Sequence, residues 1–437
     1  MEITVSLIAL VISFAMFVIL CLKNYNPIFV ALICAIFISL FTPGGFLSLF
    51  SVFLPGVATQ FQSFFLVYSL GGAFGYCLMS SGASASVSNH LIRIFGTKNV
   101  PILIFVISTL FLFAGVASYQ YAILAISLPL LKAANLPKKV ALAAMSAGAG
   151  SVAFGTLCGS TNPLNLAPCP YLGTTTMAAP MMSIICTIVS VIFIVAWLNH
   201  LVKKAHREND GFKPHPSDVI VEDSEEQKLP PAWKGYLSLF MVFAISLVLQ
   251  FVVKLNALQS VVIAQMISIV LLIALVGIRR MPKPVDVCTK GFVLSLPAIV
   301  TICMVTGYGG VVQETAAFEF LCQWVLSLQA HPYIITFVGV ALLSGLCAGG
   351  LGGITIFMQS VGQQLAQNPA VDVAAMHRIM TISGSTLDSL PHNGAIAFQL
   401  SVFNLKYKEG YFQQFMMSVV VNIVASVVAV IIGILFY

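Results

Sequence analysis

Two short polar stretches interrupt a very apolar chain, and both carry residues able to do chemistry. The first is Gly155-Thr-Leu-Cys-Gly-Ser-Thr-Asn-Pro163; the second is Ser383-Gly-Ser-Thr-Leu-Asp-Ser-Leu-Pro-His-Asn-Gly394. Proline removes a helical donor and glycine loosens the backbone, so each stretch breaks a helix. The half-helix that starts after a break presents free N–H groups and a partial positive charge. A carboxylate fits such an end without a buried lysine or arginine. Small side chains let it approach, and Ser160, Thr161, Asn162, Ser385, Thr386 and Asn393 offer hydrogen bonds. Gly159 completes the first cradle.

The second stretch adds titratable groups. Asp388 stands four residues before His392, and a pair of this kind suits a coupled proton. Acidic residues are scarce, with none between Glu2 and Glu208. An ionisable group at membrane depth is costly and is by default a functional candidate. The bland reading of Asp388 is a helix cap. Glu314 and Glu319 fall in an expected amphipathic helix at a membrane face. His377 and Arg378 are expected near a helix end, their polar heads snorkelling to water, with Arg378 as an alternative attractor of anions.

The elements that hold these stretches follow from composition. Of 437 residues, 59% are hydrophobic and 8% charged, against about 25% charged in soluble domains. The fold class is therefore an all-α polytopic membrane protein, with the lipid bilayer as its solvent. Apolar spans are predicted at roughly 3–22, 27–43, 61–82, 101–133, 138–165, 177–203, 234–254, 258–279, 291–310, 333–366, 374–400 and 411–436. The first follows Met1-Glu2 without a basic flank, so it reads as a membrane helix and not a cleaved leader. The polar segment 204–233, with Glu222, Asp223, Glu225 and Glu226, is the predicted linker between membrane repeats 1–203 and 234–437.

Spans 101–133 and 333–366 are too long for one crossing. Their centres are Gly115-Val-Ala-Ser-Tyr-Gln120 and Gly345-Leu-Cys-Ala-Gly-Gly-Leu-Gly-Gly353. Each is either two crossings or a re-entrant hairpin, and the glycine-rich tips favour hairpins. With one hairpin and five crossings per half, all 20 Lys and Arg except Lys254 and Arg378 fall on one face. The positive-inside rule makes that face cytoplasmic and puts both termini outside. Five is odd, so the second half is inverted relative to the first, an arrangement common among secondary transporters. Each inverted-topology repeat then holds a re-entrant helical hairpin and a broken transmembrane helix. From the tips, Ser118, Tyr119, Gln120, Gly349, Gly350 and Thr355 join the expected site.

Other classes lack support. No basic stripe interleaved with aromatics suggests nucleic acid. No His, Cys, Asp and Glu set has metal-site spacing, and the ten cysteines are scattered. The glycine run 349–353 lacks the Gly-Lys-Ser/Thr ending of a phosphate loop. A channel should show rings of like charge. No nucleophile with its own base points to an enzyme, and 204–233 is too short for a signalling domain.

The layout resembles the ion transporter superfamily, in which a hairpin tip and a broken helix in each half bind substrate and coupling ion. Within it the chain is similar to the gluconate permease family. The residues that carry this are Tyr308-Gly-Gly310, Gly349-Gly-Leu-Gly-Gly-Ile-Thr355 and Ser383-Gly-Ser-Thr-Leu-Asp-Ser389. The continuation Leu390-Pro-His-Asn-Gly394 looks more like the 3-hydroxybutyrate permease branch and departs from the sugar-acid carriers. The resemblance implies a bacterial inner-membrane symporter of a small monocarboxylate, such as gluconate or 3-hydroxybutyrate. It implies proton coupling without another cofactor, and often a homodimer. Sodium-coupled uptake of a di- or tricarboxylate is the alternative.

Overall fold

The computed structural model describes residues 3–160, 162–221 and 228–437, all helices and connections with no strand among them. In chain order the helices are α1 Ile3–Leu22, α2 Pro27–Ser39, α3 Gly45–Ser80, α4 Ala83–Phe95 and α5 Thr97–Phe113. They continue as α6 Tyr119–Ala134, α7 Lys138–Met145, the single turns α8 Pro163–Leu166 and α9 Cys169–Leu172, and α10 Pro180–Arg207. After the linker come α11 Ala232–Phe251, α12 Ala257–Val276, α13 Pro284–Gln313, α14 Ala316–Leu326, α15 Pro332–Leu346 and α16 Gly350–Phe357. The last are α17 Gln363–Ala366, α18 Val373–Gly384, α19 Gly394–Val402 and α20 Tyr407–Phe436.

Among the described residues, seven helices (α1, α3, α10, α11, α12, α13 and α20) are long and apolar enough to cross a bilayer. This is a multi-pass membrane protein. Helices α4 and α5 form one further apolar unit, bent by 109° at Gly96. The sequence reading has no element at 83–95. Its Ala-Ser-Ala-Ser-Val-Ser start carries little hydropathy, yet those small residues are what lets α4 bury its first two turns.

Helices α3 and α13 make the most extensive helix pairing among the described residues, with α2 and α19 packed on α13 and α12 on α3. Their backbones nearly touch at Gly72 and Gly291: a Cβ on Gly72 would lie 2.7 Å from the Gly291 carbonyl oxygen. Spans 101–133 and 333–366 each fold as helix–turn–helix, α5–α6 turning at 114–118 and α15–α16 at 347–349. α7 does not end at Met145. It continues over Ser146–Thr156 in wider, π-type winding, where Ala147, Gly148, Ala149 and Gly150 offer little side-chain resistance.

Candidate functional site

The first break begins where the wide winding ends at Thr156. Leu157 is extended, and Gly159 turns the chain with φ +80°, a conformation glycine adopts without strain. Asn162 then caps α8, its Oδ1 accepting the Asn165 N–H at 3.1 Å. Its Nδ2 donates to the Ala153 carbonyl (2.7 Å) and to Ser160 Oγ (2.9 Å). Ser160 and Asn162 are fully buried, so the break meets its own backbone needs within protein. Thr161 lies outside the described residues.

The second break repeats this logic. α18 stops at Gly384, and the Ser385 and Thr386 hydroxyls donate back to the carbonyls of Ile382 (2.9 Å) and Ser383 (2.5 Å). Asn393 caps α19 by accepting the N–H groups of Ala395 (2.5 Å) and Ile396 (3.3 Å). Asn162 and Asn393 therefore do the same work at the two breaks.

The second hairpin tip is bonded onto the second break. His392 Nε2 donates to the Gly345 carbonyl at 2.8 Å, and its ring stacks on Phe14 of α1 with centroids 4.3 Å apart. Asn393 Nδ2 donates to the carbonyls of Ala348 (2.8 Å) and Asp388. Asp388 is buried; its carboxylate accepts from Ser389 Oγ (2.9 Å) and from the Gly350 N–H that opens α16. A carboxylate thus sits at a hairpin-tip N-terminus. Asp388 makes no ion pair among the described residues, and His392 spends its donor on Gly345 and not on Asp388. Thr355 is half-buried, its hydroxyl donating to the Leu351 carbonyl at 2.9 Å. Gly349 is extended and opens α16 without a side-chain cap.

The two breaks meet. A Cβ on Gly155 would collide with Ser385 Oγ, and one on Gly350 with the Gly384 carbonyl. Asn422 of α20 bridges them, its Nδ2 donating to the carbonyls of Gly150 (3.1 Å) and Ser385 (2.8 Å). The first tip joins through Tyr119, whose hydroxyl accepts from Gln399 Nε2 (3.2 Å). Gln399 Oε1 in turn accepts from Ser146 Oγ (3.3 Å) and Gln414 Nε2 (2.8 Å). Ser118 turns elsewhere, accepting from Gln265 of α12. Among the described residues, four buried amide oxygens have no hydrogen-bond partner: those of Gln120, Gln265, Gln414 and Asn422.

Arg378 corrects the snorkelling expectation. It is 0% exposed, and His377 beside it is equally buried. The stretch 162–178 folds over this end of α18 and supplies acceptors for the guanidinium. Nη1 donates to Asn165 Oδ1 (3.1 Å), Nη2 to the carbonyls of Thr176 (3.1 Å) and Ala178 (3.0 Å), and Nε to Ala178 (3.3 Å). No acidic side chain is among these partners. His377 bonds Thr174 Oγ1 (2.6 Å) and Asn165 Oδ1 (3.3 Å). Sequence reasoning also passed over Gln265, Gln399, Gln414 and Asn422. Gln265, Gln399 and Asn422 are lone amides inside apolar runs, such as Val-Val-Val-Asn422-Ile-Val, whereas Gln414 follows Gln413.

Comparison with known proteins agrees with this architecture. A model of the family described as GntP family permease matches residues 5–436. A Bacillus subtilis (strain 168) protein described as the uncharacterized transporter YxjC is 23% identical over 452 residues, which cover 95% of this chain and 96% of that protein.

Proposed function

Because this chain belongs to the GntP family of permeases, we propose that it is a proton symporter for a small monocarboxylate, gluconate or 3-hydroxybutyrate, working by alternating access. One observation carries the reading: a buried Asp388 without a cationic partner, set where the second tip and the two breaks meet. An unpaired charge at membrane depth is costly, and a coupling proton is the smallest species that neutralises it. Arg378 supplies the opposite charge, buried without an acid, and so favours an anionic cargo.

In this reading residues 1–203 and 234–437 are inverted repeats joined by the linker 204–233. The two helix–turn–helix units are re-entrant, and the paired caps Asn162 and Asn393 support the correspondence. Ser118, Tyr119, Gln120, Gly159, Ser160, Thr161 and Asn162 hold the anion from the first half. Gly349, Gly350, Thr355, Ser385, Thr386 and Asn393 do so from the second. Asp388, with His392 bracing it against the tip, takes the proton. The tips and broken helices move against a scaffold built on α3 and α13. The linker face is cytoplasmic, both termini lie outside, and two copies pair in a bacterial inner membrane.

Sodium coupling to a di- or tricarboxylate is the second reading. The partnerless amide oxygens of Gln120, Gln265, Gln414 and Asn422 favour it, since they are neutral oxygen donors of the kind hard cations take. Proteoliposomes loaded against imposed proton or sodium gradients separate the two. Proton-driven, saturable uptake of labelled 3-hydroxybutyrate or gluconate is expected. Sodium-driven uptake would replace proton coupling, and gradient-independent, non-saturating flux would remove the symporter.

A further inference from the structure

After α10 the chain does not leave the helices. Residues 210–218 return and lie across two turns that connect mobile elements of the proposed transporter. The turn at 135–137 leads from the first hairpin into α7, and that at 403–406 leads from the second broken helix into α20. Asn135 and Asn404 both adopt left-handed backbone conformations there, φ 48° and 53°, which asparagine tolerates. Each uses its side chain to hold the segment: Asn135 Oδ1 accepts the Phe212 N–H (3.1 Å), and Asn404 Nδ2 donates to Ser217 Oγ (3.1 Å).

Three ion pairs, through the carboxylates of Asp218 and Asp210, complete the clasp. Lys138 Nζ lies 2.6 Å from Asp218 Oδ2, the side chains 4% and 2% exposed, and the His215 N–H donates to the same carboxylate at 2.7 Å. Lys139 meets Asp210 at 2.6 Å, and Lys213 reaches it at 3.2 Å. The Lys139 ammonium beside Asp210 holds its carboxyl below the usual range.

The segment also divides two cavities. One, of about 230 Å³, runs between α3, α6, α13 and α19, past Tyr76, Tyr121 and Ser401; His215, Ser217 and Asp218 form part of its wall. The other, of about 350 Å³, is lined by four lysines, Lys138, Lys139, Lys213 and Lys408, together with Asp210 and Glu409. His215 and Asn404 line both cavities, so the segment stands between them.

We propose that residues 210–218 are a strap that closes the cytoplasmic end of the transport pathway, latched by the Lys138–Asp218 pair and opened when that pair parts. The inference rests on the transporter reading and its assignment of the linker face to the cytoplasm. The physics suits a latch. A buried pair gains little net stability because desolvation offsets attraction, so both charges can return to water together at small cost. Losing one partner alone is different, because it strands the other charge.

Accessibility tests the strap without a substrate. Ser401→Cys places a thiol in the inner cavity, and inside-out vesicles expose the linker face to a membrane-impermeant maleimide. Labelling at position 401, read by peptide mass, is expected to be slow and to rise about tenfold or more with Asp218→Asn. Reversing the pair, Lys138→Asp with Asp218→Lys, should restore the slow rate. An unchanged rate in Asp218→Asn, or a reversed pair as fast as the single variant, overturns the strap. A second variant covers misfolding. Ser217→Cys with Asn404→Cys, oxidised to a disulfide, should abolish most flux, and dithiothreitol should restore it. Full flux with the crosslink formed overturns the strap. If neither acid is carried by the parent protein, only the substrate assignment fails, and labelling still judges the strap.

Discussion

Replacing Arg378 with methionine separates charge from architecture. Four guanidinium bonds are lost, but most of their acceptors keep another donor. The Thr176 carbonyl still receives Gly159 N–H (2.9 Å) and Asn165 Nδ2 (3.1 Å), and Asn165 Oδ1 still receives His377 Nε2 (3.3 Å). Only the Ala178 carbonyl loses both its side-chain donors. One stranded carbonyl costs about 1–3 kcal/mol. Against this, removing an uncompensated buried charge relieves a desolvation penalty of roughly several kcal/mol. The net change in stability should therefore be small, about 2 kcal/mol at most in the destabilising direction. Anion binding should weaken through the loss of the Arg378 field. A unit charge acting at a distance of about 10 Å contributes roughly 1–2 kcal/mol, which is about five- to thirtyfold in affinity. Thermal unfolding in detergent reads the first quantity, and the concentration dependence of uptake in proteoliposomes reads the second. Uptake at the parental KM would refute the role of the charge. A protein that no longer folds would show that Arg378 is chiefly the tie between α18 and the 162–178 stretch.

Gly155→Ala should destabilise the protein by about 1–3 kcal/mol through overpacking against Ser385, and Ser385→Ala in the same chain should recover most of it. Additive losses in that double-mutant cycle would mean the two breaks do not touch. Asp388→Asn should abolish proton-driven accumulation while sparing exchange of internal for external anion; accumulation at the parental level would remove Asp388 from coupling. Asn393→Ala should cost about 1 kcal/mol as a lost cap, and more because the Ala348 and Asp388 carbonyls lose a donor; unfolding at the parental temperature would contradict the cap. A cysteine at Lys406 should react with impermeant maleimide only from the cytoplasmic side, and labelling from outside would overturn the inverted arrangement.

The breaks were legible because a helix cannot hide proline, glycine and asparagine in one run: the rule that reads them is local. The helical spans were legible for the same reason, since 20 apolar residues need no partner to identify their solvent. Arg378 shows where local reading stops. It lies six residues inside α18 from Asp372, the cap, which by itself suggests an exposed helix end. Its burial is decided by a stretch two hundred residues away, whose Thr174, Thr176 and Ala178 read as an ordinary connection. Gln399 and Asn422 were visible as isolated amides, yet their partners Tyr119, Ser146 and Gly150 come from residues 1–203. Charge behaved the same way in the linker. Lys138 and Asp218 look like solvated residues of a polar connection, and only the return of the chain buries them together. A local signal can therefore mark where the membrane helices fail. Which polar group faces which depends on contacts between distant parts of the chain, and those are the contacts that the proposed alternating-access cycle would make and break. The residues least readable from sequence are then the ones whose substitution should separate conformational change from binding.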